Sequence, residues 1–141
     1  MIIRRTTAAL AAIGLALSMS LTACSSSPDT QEANAAYCEG ATATQEQFQK
    51  LEDLIDSGAP TEALKQQRDL TQAAIQANSV PLSQLQDSVK TEIEAANDAF
   101  NEAISAIPDD ASPADAAASY KAAIDARSAA VAELESELGC S

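Results

Sequence analysis

Few residues of this chain are able to do chemistry, and their types exclude most enzyme classes. The 141-residue sequence contains no histidine, which rules out a Ser-His-Asp triad, a Cys-His pair and histidine metal ligands. Its four glycines, at Gly14, Gly40, Gly58 and Gly139, lie too far apart for a phosphate-binding loop. Tryptophan is absent and only two Tyr and two Phe are present, which gives little support for a sugar-stacking or drug-sized pocket. We therefore predict that the protein is not an enzyme and uses no cofactor.

Carboxylates are the remaining candidates for a metal site or an acid-base site. Asp109, Asp110 and Asp115 lie close together in the sequence, but they lack the alternating ligands and central glycine of an EF-hand loop. A polar turn followed by a helix cap is therefore expected there, and no metal site is predicted. Other carboxylates paired at helical spacing are expected on solvated helix faces. These are Glu92 with Asp98 and Glu133 with Glu137.

The first 23 residues have the layout of an export signal. Arg4 and Arg5 are followed by residues 6–23, which carry no charge and have an apolar centre at 8–17. This layout is typical of a secretory signal peptide rather than of a core helix. The alternative is an uncleaved membrane anchor, because the uncharged run approaches the roughly 18 residues of a spanning helix. Hydroxyl side chains near the end of the run reduce its hydrophobicity and favour cleavage.

The sequence Leu21-Thr22-Ala23-Cys24 resembles the lipobox of bacterial lipoproteins. In that family the Cys sulfur receives a diacylglyceryl group, the signal is cut before the Cys, and the new amine is often acylated. The resemblance implies a mature protein that begins at Cys24 and is held on the extracytoplasmic face of the cell membrane by acyl chains such as palmitate. The alanine-rich composition is similar to that of small predicted lipoproteins of actinobacteria, a likeness that implies no activity.

Two cysteines remain once Cys24 is assigned to the lipid. In an oxidising exported compartment an even pair predicts a disulfide, so we expect Cys38 to bond to Cys140. A cross-link across most of a small domain stabilises it by up to ~4.7 kcal/mol through the entropy of the unfolded chain. The alternative is two free thiols packed as small hydrophobic side chains.

Acidic residues dominate the charge of the chain. It has 8 Lys and Arg against 21 Asp and Glu, a formal net charge of −13. Loss of Arg4 and Arg5 with the signal would leave six basic residues and a net charge of −15. Nucleic acids and anionic membrane surfaces repel such a protein. We therefore predict no nucleic-acid partner, and a membrane association that depends on the lipid.

Hydrophobic periodicity predicts an all-α fold for the chain that follows the signal. Residues 24–36 are polar and predict a flexible tether, unless Pro28 occupies the first turn of a helix capped by Ser27. The helical domain is assigned to residues 37–141. Within it, apolar spacing predicts four helices, over about 42–57, 61–78, 82–107 and 113–138. The third has the clearest pattern, and the positions predicted to face inward are Leu85, Val89, Ile93, Ala96, Phe100, Ile104 and Ile107. The second has Leu64, Thr71 and Ile75 on its inward line, with Leu70 beside it. Ser112 is the predicted N-cap of the fourth, with Pro113 at its first position, and Gly139 is its predicted C-cap.

The predicted disulfide constrains how these helices are arranged. Cys38 precedes the first predicted helix and Cys140 follows the last, so their bond requires an even number of antiparallel helices. Pro81 then marks a reversal of the chain rather than a kink. We predict a small antiparallel up-and-down bundle of four helices. Arg127 falls at an apolar position of the fourth helix, and its guanidinium is expected to snorkel to an acid at the bundle edge.

Together these features predict a membrane-anchored extracytoplasmic lipoprotein without catalytic activity. It is expected to act as an interaction or structural module of the cell envelope, with another envelope protein as its partner. The alternative is a small-ligand or cation-binding lipoprotein that assists a transporter, using its acidic side chains and a gap between alanine-lined helices.

Overall fold

The computed structural model describes residues 28–140, and every regular element in this range is helical. The elements are α1 (Pro28–Asp56), α2 (Thr61–Ala77), α3 (Ser79–Leu82), α4 (Asp87–Ser105) and α5 (Pro113–Leu138). Because α3 is only a single turn, four long helices form the fold, and the all-α prediction is confirmed. Within this range no helix is both long enough and apolar enough to cross a membrane.

The four long helices run up and down, each antiparallel to its neighbour in sequence. Gln67 on α2 donates from Nε2 to the Gln47 carbonyl of α1 at 3.2 Å, and Asn78 donates from Nδ2 to the Tyr37 carbonyl at 3.3 Å. Residue numbers therefore rise along α2 as they fall along α1. A bond of 3.3 Å from the Tyr37 hydroxyl to Glu135 Oε1 closes α5 against α1, and α4 packs with α5 as the second hairpin. The predicted up-and-down bundle of four helices is confirmed.

The core consists of two apolar clusters stacked along the bundle. One, the Phe cluster, lies towards the loops at 57–60 and 106–112 and contains Phe48 and Phe100. Their rings meet edge to face, with centroids 5.1 Å apart and planes at 83°. The other, the disulfide-end cluster, contains Tyr37, Ile93 and Val131. Most positions predicted to face inward on α4 are buried, and these are Ile93, Ala96, Phe100 and Ile104.

Helix α1 begins much earlier than the sequence pattern predicts. The flexible tether predicted at 24–36 is wrong from residue 28 onward, and the alternative with Pro28 in the first helical turn agrees with the structure. Ala33 and Tyr37 are buried in this stretch and extend the helical spacing of the core backward from Ala41. The pattern was missed because two of these three side chains are alanine, which contrasts little with its polar neighbours.

The third predicted helix, over 82–107, is also wrong at its start. Pro81 lies inside the short helix α3, where a missing backbone donor is tolerated in a first turn. Leu85 is buried in the disulfide-end cluster, but it lies in the turn before α4 rather than in a helix. Gln86 is extended, with φ −58° and ψ 140°, and α4 begins at the next residue. Periodicity places Leu85 correctly in the core but does not reveal the turn that the reversal requires.

Helix α5 begins and ends as predicted. Ser112 is its N-cap: the Ser112 Oγ accepts from the Asp115 amide at 3.2 Å and donates to Asp115 Oδ2 at 2.7 Å. Pro113 occupies the first helical position, where its missing N–H costs nothing. Gly139 ends the helix with φ 84°, a left-handed conformation that glycine adopts without strain.

Candidate functional site

The two cysteines of the helical domain are joined as predicted. Cys38 and Cys140 form a disulfide with Cα atoms 5.0 Å apart across a sequence separation of 102 residues. Gly139 supports this geometry, because its left-handed conformation ends α5 one residue before Cys140. One premise of the prediction was wrong, since Cys38 lies near the end of the third turn of α1 rather than before the first helix. The bond still forms because α1 and α5 are antiparallel.

Cys24, the predicted lipidation site, lies outside the described residues. Only three residues separate it from Pro28, the first residue of α1. The chain contains three cysteines, and the disulfide uses two of them. Cys24 is therefore the cysteine left for another modification, and it lies close in sequence to the end of the bundle that carries the disulfide.

Among residues 28–140, Arg127 is the one buried charged side chain, and along α5 it falls between Ile124 of the Phe cluster and Val131 of the disulfide-end cluster. Arg127 is 6% exposed, its guanidinium carbon lies 4.8 Å from the centroid of the Phe48 ring, and its Nε donates to Asn97 Oδ1 at 2.9 Å. Burial lowers the pKa of Arg127, and none of the ion pairs formed by residues 28–140 includes it. The prediction that it snorkels to an acid is therefore wrong. A ring face and an amide oxygen stabilise the cation instead.

A second set of buried polar side chains joins α1 to α2. Gln67, itself buried, donates to both the carbonyl and the Oε1 of Gln47, at 3.2 and 3.1 Å. Thr71 is fully buried and donates to the Gln67 carbonyl at 2.9 Å. The bonds from Gln67 to Gln47 set the register of the two helices. These polar side chains therefore contribute to the specificity of the fold, and we assign them no ligand.

Tyr37 is a core residue that the sequence pattern did not identify. Its side chain is 1% exposed, and its hydroxyl donates to Glu135 Oε1 at 3.3 Å. Burial, and then the negative charge of Glu135, raise the pKa of the phenol. The sequence signal that could have identified it is the spacing of four residues from Ala33 to Tyr37 and again to Ala41.

The acidic residues considered as ligands have ordinary structural partners. Asp109 Oδ1 pairs with Lys65 Nζ at 2.9 Å, and this hydrogen bond lowers the pKa of the Asp109 carboxyl. Asp115 caps α5, while Asp110 is exposed in the turn before it. Across residues 28–140, no group of three or more metal-ligating side chains is placed to hold an ion.

Exposed apolar side chains mark one further surface. Leu70 is 57% exposed and Val80 is 66% exposed, and both lie in the part of the chain from α2 to α3. The sequence pattern placed Leu70 beside the inward line of α2, and this placement is wrong. Leu64, Thr71 and Ile75 of the same helix are buried as predicted.

Comparison of this chain with protein-family models, with curated proteins and with solved structures gives no match. Function is therefore inferred from the chain's own residues. The features that bear on it are the lipobox-like sequence before Cys24, the disulfide, the four-helix bundle and the exposed apolar side chains of Leu70 and Val80.

Proposed function

We propose that this protein is a lipoprotein anchored in the cell membrane, on its extracytoplasmic face, through lipid on Cys24. The observation that carries the proposal is the sequence Leu21-Thr22-Ala23-Cys24 at the end of an uncharged, apolar export signal. The Cys38–Cys140 bond supports it independently, because structural disulfides are typical of exported proteins. That bond also leaves Cys24 as the cysteine available for acylation.

The helical domain then acts as a non-catalytic interaction or structural module of the cell envelope. Links between its helices support this role, because the disulfide joins α1 to α5 and Arg127 on α5 donates to Asn97 on α4. A rigid bundle presents helix faces to a partner with little loss of conformational entropy on binding. The partner is another envelope protein, because lipid on Cys24 holds the domain at the membrane and a net charge of −15 without the signal disfavours nucleic acid.

Anchoring is tested by fractionating bacteria that process lipoproteins and express the full chain. The wild type should be found with membranes and should resist extraction by high salt, because acyl chains rather than charges hold it. Cys24→Ser should move the protein to the soluble exported fraction. The matched control is Cys38→Ser with Cys140→Ser, which makes the same chemical change at the disulfide and should leave the protein membrane-bound. Membrane retention of the Cys24→Ser protein in unprocessed form would support an uncleaved anchor instead.

The role as an interaction module is tested by cross-linking in intact cells followed by purification from detergent-solubilised membranes. A reproducible envelope protein should be recovered with the wild type and lost or strongly reduced with Cys24→Ala. Recovery of no partner, together with stabilisation of the purified protein by a small molecule or divalent cation in a thermal-shift panel, would favour the transporter-accessory alternative.

A further inference from the structure

One segment of the bundle differs sharply from the rest in charge. Between Asp69 and Asp87 lie seventeen consecutive residues, 70–86, without a charged side chain. No other uncharged run between Pro28 and Cys140 is longer than six residues. We call residues 70–86 the uncharged segment, and it comprises the second half of α2, all of α3 and the turn before α4. Within residues 28–140, which are strongly acidic, it is the one long stretch that an anionic surface does not repel.

The uncharged segment also carries the two large hydrophobic side chains that residues 28–140 expose most. These are Leu70 and Val80, at 57% and 66% exposure. Ala73 and Ala77 are exposed between them on α2. The outer surface of this segment thus combines apolar side chains with uncharged amides and hydroxyls, a composition suited to the headgroup boundary of a bilayer.

The uncharged segment lies near the end of the bundle at which α1 begins. Asn78 donates to the Tyr37 carbonyl of α1 at 3.3 Å, which places the end of α2 beside the early turns of α1. One surface depression is lined by Thr30 and Asn34 of α1 and by Gln86 of the turn before α4. This turn therefore lies next to the first turns of α1. The chain that leads back to Cys24 leaves the bundle from this end.

The chain between Cys24 and α1 is too short to keep the bundle away from the membrane. Four Cα-to-Cα steps join Cys24 to Pro28, a reach of about 14 Å when fully extended. This is comparable with the distance over which charges act at physiological ionic strength, about 8 Å. Charge repulsion from anionic lipids is therefore unequal across the tethered bundle. It is weakest when the uncharged segment is turned towards the lipid.

We propose that the uncharged segment is the face that this protein turns to the bilayer, with Val80 and Leu70 in contact with the headgroup region. The inference rests on the proposed lipidation of Cys24 and adds an orientation to it. The second half of α2, α3 and the turn before α4 then lie against the membrane. The acidic outer faces of α4 and α5 are then presented to envelope partners.

Fluorescence quenching of the lipidated full chain in vesicles tests this orientation. The protein is reconstituted in phosphatidylethanolamine and phosphatidylglycerol vesicles that contain a lipid with a spin-labelled headgroup. Val80→Cys introduces a thiol for an environment-sensitive dye, because acylation and the disulfide occupy the native cysteines. Ala77→Cys provides a second probe position that keeps Val80. The matched control is Ser88→Cys, which is exposed at the same end of the bundle but lies on α4.

The dye at positions 80 and 77 should be quenched at least about threefold more than the dye at position 88, with a blue-shifted emission. Equal quenching at all three positions would show an end-on bundle without a preferred face and would overturn the proposal. No quenching at position 80 would also overturn it, and would favour a protein partner for this surface. Vesicle flotation separates these results from failure of the anchor, because protein that does not float contradicts lipidation itself and with it the orientation.

Discussion

Replacement of Gly40 by alanine tests the packing of α1 against the end of α2. A Cβ added at Gly40 would overlap the Oδ1 and Cγ atoms of Asn78 and would lie 3.1 Å from its Cβ. Asn78 is 8% exposed, and its Nδ2 donates to the Tyr37 carbonyl at 3.3 Å. Its side chain therefore cannot move aside without losing that bond.

Two opposing contributions determine the effect of Gly40→Ala on the free energy of unfolding. Alanine stabilises a helix interior by about 1 kcal/mol relative to glycine. Overpacking costs about 1–3 kcal/mol, and loss of the Asn78 hydrogen bond adds about 0.5–1.5 kcal/mol. The overlap outweighs the helix propensity, so we expect a net loss of about 2 kcal/mol.

A second substitution shows whether Asn78 is the cause. Asn78→Ala removes the overlapping atoms, and by itself it removes one hydrogen bond together with a buried Oδ1 that has no partner. These effects nearly cancel, so its own cost should stay below about 1 kcal/mol. In the double variant the helix propensity gain remains without most of the overlap. We expect it to be about 1–2 kcal/mol more stable than Gly40→Ala alone.

Urea unfolding of the oxidised protein, followed by far-ultraviolet circular dichroism, measures the free energy of unfolding. It is applied to the wild type, both single variants and the double variant. The four values are comparable when the slope of the free energy of unfolding against urea concentration is the same for each protein. A Gly40→Ala protein as stable as the wild type would refute the close approach of α1 to Asn78. A double variant no more stable than Gly40→Ala would show that the strain lies elsewhere.

Three further predictions follow from the disulfide and from two buried ionisable side chains, Tyr37 and Arg127. Reduction of the Cys38–Cys140 bond, which spans 102 residues, should lower the free energy of unfolding by about 2–5 kcal/mol, and a loss below about 1 kcal/mol would contradict its role as a staple. Because burial raises the pKa of Tyr37 above 10.0, the folded state keeps a proton that the unfolded state releases, so stability should fall as the pH rises above 10. Tyr37→Phe should reduce this loss of stability above pH 10, as measured by urea unfolding at a series of pH values. A loss as large as that of the wild type would exclude Tyr37 as the cause. Arg127→Met should change stability by less than about 1 kcal/mol, because relief of a buried charge offsets the lost contacts with Phe48 and Asn97. A loss above about 3 kcal/mol on urea unfolding would contradict this balance.

Sequence reasoning succeeded where large apolar side chains or special backbone residues determine the structure. The spacing of Ile93, Phe100 and Ile104 identified the core face of α4 because each such side chain gains much from burial. Ser112 and Gly139 identified the ends of α5 because few residue types are favoured at an N-cap or at a left-handed C-cap. The disulfide followed from counting cysteines rather than from geometry.

Sequence reasoning failed where burial depends on the neighbouring helix rather than on the local pattern. The first turns of α1 contain alanine and polar residues, and what they bury is Tyr37, which packs in the disulfide-end cluster with Leu85 and Leu138. Leu70 falls beside the inward line of α2 by spacing, yet it is 57% exposed. Arg127 matches an apolar position and is buried there, because Phe48 and Asn97 from other helices provide its partners. Pairwise contacts of this kind are not encoded in the periodicity of a single helix.

Intact-mass spectrometry of the protein extracted from membranes tests the central claim most directly. The account predicts a polypeptide that begins at Cys24, carries a diacylglyceryl group on that sulfur, and is two hydrogens lighter than the fully reduced chain because of the disulfide. Further acylation of the new amine agrees with the same account. A mature protein with an unmodified Cys24 thiol, or one that retains residues 1–23, would contradict it.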